Sequence, residues 1–590
     1  MDDNKIGTKF HIAIILVGLV AATGVSPTAW GQRLFPAQVE WGDIQVGGEL
    51  RERLQRNFTR LHEDKYQPQH VFLTDEESGY WPGDTEGRTL LALVMDAQAL
   101  RQEPLFLHRM MEQLPRHLNK QGYMGILYGD TISEQQLSGN GWLLRGLCEY
   151  YAWKGDKRIL PIIRDIANNL FVKAQGRYSR YPIRPEQRRK DVGEASGTLQ
   201  NVVDGWLLSS DVGCVFIGME GLIHAYQYVG TPKMKEVIEE MIQRFLAIDL
   251  VDIKAQTHAT LTACRGLIRY ADLTGNRTLL DEAEKRWQLY KKYGMTANYE
   301  NYNWFGRPDT WTEPCAIVDS YMLAVQLWQR TSKTEYRHDA ELIYYNALCH
   351  TQRFNGGFGC DTCTSDEAGI LSIHEPEAHW CCTMRGAEGL ATAFRYSYLL
   401  QGDTLVVPFL RQSMLATGNE EKGFFSIRQT TEYPFSNQAT LTIQENSRGI
   451  NAISLPRLPW ADETVFYLNG VPITPHEHNG FFVVKHSWQQ GDTLTMTFRL
   501  KYHQGEPTLI FPSPRRGGPT LIFPSPRRGG VRGGEAVRDL QSPTTKASLR
   551  FFYGPLILGA DAGTPSQLSP IYHLMDAKVW NKSYHKQILF

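Results

Sequence analysis

The chain has 590 residues, 42% of them apolar and 21% charged, a balance that supports a large core and more than one domain. A formal net charge of −1, with no clustered Lys/Arg face in the folded region, excludes the electrostatic footprint of a nucleic-acid binder. Aromatic residues at 11% suit a carbohydrate cleft and equally any large core. Residues 1–31 have the layout of a secretory signal peptide: Lys5 and Lys9, an apolar run from Ile12 to Val25, then Ala29-Trp30-Gly31 before cleavage at Gln32. This predicts a secreted or periplasmic protein without stable membrane insertion. A retained anchor is the alternative, although the run is short for a bilayer.

From about residue 45 to 400 apolar residues recur at three- and four-residue spacing. Leu90–Leu100, Trp142–Trp153, Met219–Tyr228, Leu261–Leu273 and Ala316–Trp328 all read as helices. Short polar breaks such as Gly230-Thr231-Pro232 and Thr274-Gly275-Asn276 follow, and second helices begin at Lys233 and Thr278. Helix, tight turn, helix is an αα-hairpin, and a chain of them predicts an (α/α)6 toroid over residues 32–400. An open solenoid is the alternative. The irregular stretches Lys173–Asp204 and Gly294–Thr312 read as loops over a central cavity.

After Gln401 the period changes to two, as in Gly423–Arg428, Gln438–Ile443, Glu463–Leu468 and Asp492–Phe498, which predicts antiparallel β-sandwich structure over 401–590. Within it Pro507–Gly518 is repeated without change as Pro519–Gly530, and its Pro, Gly and Arg content predicts a disordered insertion at 505–546.

Nine cysteines in an exported chain would ordinarily pair. Cys148, Cys214 and Cys264 are isolated in helical patterns and read as small core residues. Adjacent Cys381 and Cys382 cannot pair with each other without strain. With Glu313 and Cys315 they supply one carboxylate and three thiols, a tetrahedral shell for Zn2+. A closed four-thiolate site of Cys360, Cys363, Cys381 and Cys382, or a set of disulfides, fits the residue types as well. Glu300 lies among aromatics, where a carboxyl with a raised pKa serves as an acid, or is an ordinary loop residue. His258 opens a helix as a site residue or a core cap. Asp84, Glu86 and Arg88 precede a helix, where they bind substrate or are simply turn and solvated residues. His374, Glu375, Glu377 and His379 approach Cys381 as further ligands or as a polar loop.

Glu313-Pro-Cys315 at a helix start, followed by Cys381-Cys382 on a toroid trailed by β-sandwiches, resembles glycoside hydrolase family 127, the β-L-arabinofuranosidase-like proteins. Leu455–Trp460, Tyr467-Leu-Asn-Gly470, Gly480–Val484, Trp488–Asp492 and Tyr553–Leu558 resemble that family's sandwich motifs. The resemblance implies zinc held by Glu313, Cys315, Cys381 and Cys382, Cys381 as nucleophile and Glu300 as acid/base. It implies His258, Trp142, Asp84 and Glu86 at the sugar, with Trp142 falling where the family carries a histidine. Thr383-Met384-Arg385 departs from the prolines and asparagine common after the cysteine pair, and Cys360 and Cys363 have no family counterpart.

The function expected is a retaining glycoside hydrolase acting on non-reducing-end sugars of a plant- or algal-type oligo- or polysaccharide, β-L-arabinofuranosides among them. A metal-independent lyase or uronyl hydrolase on the same toroid is one alternative. A glycan-binding protein with a structural zinc site is the other. The sequence carries no signal for an oligomeric state.

Overall fold

The computed structural model describes residues 35–72, 81–188, 196–363, 370–504, 508–510, 546–548, 551–561, 569–571 and 587–589. The expected signal peptide and most of the tandem repeat lie outside these residues. Thr508–Ile510, the first residues of the repeat to be described, pair with Lys546–Ser548 as a two-stranded ribbon. That strand departs from the expectation that the repeat forms no ladder. Its Thr-Leu-Ile step has the β-branched character a strand favours.

The helices are α1 (Gly48–Arg60), α2 (Asp84–Leu100), α3 (Glu134–Lys154), α4 (Val215–Val229), α5 (Pro232–Leu246), α6 (Thr257–Thr274), α7 (Thr278–Tyr293), α8 (Pro314–Thr331), α9 (Thr334–Ile343) and α10 (Cys382–Arg395). Local chemistry sets their ends. Ser133 caps α3 and Thr231 caps α5, and proline takes the first position of α5 and α8, where its missing N–H costs nothing. Gly155 and Gly275 close α3 and α6 in the left-handed conformation.

Six helices close a ring: α2 packs on α3, α3 on α4, α4 on α6, α6 on α8, α8 on α10, and α10 returns to α2. Outside them stand α1, α5, α7, α9 and two short helices, Leu107–Gln113 and Leu160–Ile166. This is the (α/α)6 toroid expected from the hairpin pattern. The inner helices approach closely because they present glycine to one another. A Cβ on Gly87 of α2 would come within 2.3 Å of the α3 backbone at Trp142 and Leu143.

Each inner helix returns through an outer partner, so all six run the same way and their N-termini gather at one end. The ring's interior is held by buried ion pairs. Arg145 pairs with Glu220 at 2.8 Å and with Glu388, Arg265 with Asp319 at 2.5 Å, and Arg385 with Asp319 at 2.7 Å. The Trp142 ring lies under the guanidinium groups of Arg88, Arg145 and Arg385, 4.1, 4.3 and 4.6 Å from its centroid.

The stretch read from sequence as a loop after Lys173 contains a small sheet. Leu199–Val203 and Trp206–Ser209 pair antiparallel, and Ile132–Ser133 joins them. Glu134 anchors this strap by accepting from Ser209 N and Arg188 Nη1 at 2.7 and 2.8 Å.

Beyond the ring, two mostly antiparallel sheets form a sandwich across which Phe466 and Phe482 pack at 5.0 Å. Alternating Ala439, Leu441 and Ile443 turn inward, as the two-residue period requires. The sheets also recruit Ala37–Gln38 and Ile44–Val46 from ahead of the helices. A third sheet joins Tyr502–Gln504, Phe551–Tyr553, Leu556–Asp561, Gln587–Leu589 and Ile370–Leu371. Among the described residues no helix is long and apolar enough to cross a membrane.

Candidate active site and metal centre

The inner helix starts carry the site. Glu313 is the N-cap residue of α8, but its side chain caps nothing and is left to turn inward. Cys315 stands one residue beyond Pro314, and Cys381 and Cys382 occupy the N-cap and first position of α10. Two helix N-termini therefore direct their positive ends at the sulfurs, which favours thiolate.

Cys315 Sγ lies 3.0 Å from Cys381 Sγ and 3.8 Å from Cys382 Sγ, Cys381 and Cys382 are 3.9 Å apart, and Glu313 Oε1 is 3.8 Å from Cys381 Sγ. Sulfurs at about 2.3 Å on a tetrahedral zinc stand about 3.8 Å from one another. All but the Cys315–Cys381 spacing already match, and the donor set is that of a zinc site, so the residues fit the ion. Of the nine cysteines Cys381 alone is half-buried; the rest are buried.

The surroundings favour charge on Cys381. Hydrogen bonds with Cys315 and Cys382 hold its pKa well below the ordinary thiol value despite burial, helped by Arg88 and His258. Burial pushes Cys315 and Cys382 the other way. Arg88 Nη1 donates to Cys315 Sγ at 3.3 Å and its Nε to Asp84 at 2.6 Å. His258 reaches Glu313 Oε1 with Nδ1 and Asp319 with Nε2, each at 3.4 Å, linking the ligand carboxylate to the ring's ion pairs. With its amide oriented so that both ends are paired, Asn303 donates to Glu313 Oε2 at 2.9 Å and accepts from Trp311 Nε1 at 3.1 Å.

Six residues singled out from the sequence thus stand together: Glu313, Cys315, Cys381, Cys382, His258 and, through Arg88, Asp84. Glu86 is buried in the first turn of α2. Trp142 has no exposed surface, so in this structure it is the site's floor and offers no face to a ligand. Glu300 is placed apart from the thiols. It is fully buried, and its electrostatic neighbours are Asp361, Asn298 and Arg353. Burial first and Asp361 second push its pKa well above the carboxylate range.

Cys360 exchanges a hydrogen bond with Cys382, but Cys363 lies 4.0 Å from Thr310 Oγ1 and 3.6 Å from the Asn301 carbonyl. The closed four-thiolate alternative therefore does not assemble. Of the polar residues near Cys381, Trp311 stacks on His374 at 5.0 Å, and Glu377 is taken by Arg60.

One titratable group in the field of the thiols escaped the sequence reading. Asp211, just ahead of α4, accepts from Ser196 Oγ at 3.0 Å and Gly197 N at 3.0 Å. Burial first, then the charges of Glu313 and Cys381, push its pKa up to about 8. The signal was Ser209-Ser210-Asp211 immediately before an apolar helix, which reads as ordinary capping.

Residues 407–500 match the family model of the β-L-arabinofuranosidase GH127 middle domain, the region of the first sandwich. No curated protein sequence matches. Among solved structures, a glycoside hydrolase aligns at 12% identity over 90% of this chain and 84% of that one, with a TM-score of 0.61. A GH127 β-arabinofuranosidase aligns at 14% over 90% and 86%, with a TM-score of 0.63. A GH127 β-L-arabinofuranosidase from Geobacillus stearothermophilus T6 aligns at 14% over 88% and 86%, with a TM-score of 0.60. At these identities the structural likeness establishes the fold. The middle-domain match adds a resemblance to glycoside hydrolase family 127 over residues 407–500.

Proposed function

We propose that the chain is an exported retaining glycoside hydrolase whose nucleophile is the Cys381 thiolate, acting on the non-reducing ends of a plant- or algal-type glycan, with β-L-arabinofuranosides as the first class to test. The observation that carries this reading is the half-buried Cys381 sulfur, set among two further thiols and Glu313 at the mouths of α8 and α10. A zinc ion held by Glu313, Cys315, Cys381 and Cys382 would supply charge that keeps the sulfurs deprotonated at neutral pH.

In the first step Cys381 Sγ attacks the anomeric carbon as the glycosidic C–O bond breaks, leaving the sugar on sulfur. The leaving oxygen takes a proton. Glu300, expected from the sequence to donate it, faces Asp361 in this structure, so we assign the proton to Asp211, whose pKa burial and the neighbouring Glu313 charge push up to about 8. In the second step water attacks the same carbon, the C–S bond breaks and Asp211 recovers a proton from the water. Two inversions retain the anomeric configuration. Arg88 and His258 hold the charge and orientation of Cys315 and Glu313 throughout.

The test is turnover of 4-nitrophenyl β-L-arabinofuranoside and related aryl furanosides, quenched in acid during the steady state. The expected result is one glycosyl unit on the peptide carrying Cys381, absent in Cys381→Ser. A first-formed product of inverted configuration, read by NMR, would rule the thiolate mechanism out.

A further inference from the structure

A second buried group stands behind the thiols, and nothing in the proposed reaction uses it. Glu300, His350 and Asp361 bring three potential ligand atoms within 4.8 Å of one another, all in buried side chains. His350 comes from the short helix Cys349–Thr351, Asp361 from a strand that hydrogen-bonds to Thr312, and Glu300 from the loop ahead of α8.

Three observations point to a missing cation. First, His350 Nδ1 lies 2.8 Å from the Ile571 carbonyl, which can only accept. Nδ1 therefore donates to that carbonyl and Nε2 is turned inward, the orientation typical of a metal-bound histidine. Second, Nε2 faces Asp361 Oδ2 at 3.1 Å. Two ligands at about 2.1 Å on one ion stand about 3.0–3.4 Å apart in octahedral or tetrahedral geometry. Third, neither oxygen of fully buried Glu300 has a hydrogen-bond partner, a costly state for a carboxylate. Arg353 occupies the other Asp361 oxygen at 2.8 Å.

We propose that Glu300, His350 and Asp361 form a second metal site, separate from the thiols, that takes a first-row divalent cation of the kind preferring nitrogen and oxygen ligands. Arg353 and the Ile571 carbonyl are its outer supports, and Ile571 ties it to the C-terminal sheet segment. The rival arrangement puts a proton on Glu300 where the proposal puts the ion. Burial and Asp361 already hold the Glu300 pKa high, whereas Asp361, although buried, is kept low by Arg353 and His350.

The probe is Mn2+, which favours carboxylate and imidazole over thiolate and gives a direct EPR signal when free. Full-length, reduced, chelator-treated protein is titrated and free Mn2+ is followed. The proposal expects one equivalent bound by the wild type and by Cys315→Ser, whose thiol centre is broken. Glu300→Gln and His350→Gln should each bind at least about tenfold more weakly. Mn2+ should also raise the thermal midpoint of wild type and Cys315→Ser more than that of either variant, which covers the case in which one of them is poorly folded. Failure of the wild type to bind a stoichiometric ion overturns the proposal, as does binding unchanged in both variants or lost in Cys315→Ser. None of these outcomes depends on glycosidase activity.

Discussion

The two buried groups on either side of Thr312 are built from opposite chemistry. On one side Cys315, Cys381 and Cys382 offer soft sulfur with a single carboxylate, at the mouths of two helices and with Cys381 half-buried. On the other side Glu300, His350 and Asp361 offer nitrogen and oxygen, wholly buried and braced by Arg353. Thr312 joins them through hydrogen bonds with the Asp361 backbone at 2.8 and 2.9 Å, one residue before Glu313. The difference teaches that one short segment borders a half-buried sulfur group and a sealed nitrogen–oxygen group. Exposure separates the two groups as much as residue type does.

The sharpest way to break this comparison is Cys381→Ser, expected to lower kcat/KM on an aryl furanoside by at least about 10³-fold while the fold persists. Circular dichroism and steady-state kinetics check both. Breaking the ring's interior should act on stability. Arg385→Met leaves Asp319 and Glu388 short of a partner and is expected to cost about 3–5 kcal/mol, read by urea denaturation.

Asp211→Asn tests the assignment of the proton. It should lower kcat by about 10²–10⁴-fold for a poor leaving group and much less for 4-nitrophenolate, which needs no proton. The sign in pH follows from the raised pKa. Below about 8 the Asp211 carboxyl is protonated and able to donate, so wild-type kcat/KM should fall as pH rises through that value. The variant should lack that alkaline limb. Glu300→Gln marks the small end, with turnover within about threefold of wild type if the sealed group stands apart from the chemistry. A loss as large as that of Asp211→Asn would restore Glu300 as the acid.

Much of the architecture was legible in the sequence. Apolar spacing, Gly155 and Gly275 at helix ends and Pro232 and Pro314 at helix starts marked the hairpins, because each signal acts within a few residues. The small sheet at Leu199–Ser209 was not legible, because its strands depend on Ile132–Ser133 and on Glu134, more than sixty residues earlier. The recruitment of Ile44–Val46 into the sandwich depends likewise on Ser413–Leu415 far along the chain.

The sequence by itself narrowed the thiol centre to Glu313, Cys315, Cys381 and Cys382, a four-thiolate site with Cys360 and Cys363, or disulfides. Glu313 and Cys315 flank a helix-starting proline, and adjacent Cys381 and Cys382 cannot bond to each other without strain, which is covalent geometry. Only the tertiary structure decided the assignments around it. It turned Cys363 toward Thr310, faced Glu300 to Asp361, buried Trp142 beneath three arginines, and brought Asp211 from the start of α4 within the field of Cys381. Local spacing fixes which side chains share a helix end. The closure of the ring fixes which helix ends meet, and with that which carboxyl loses its water and holds a proton.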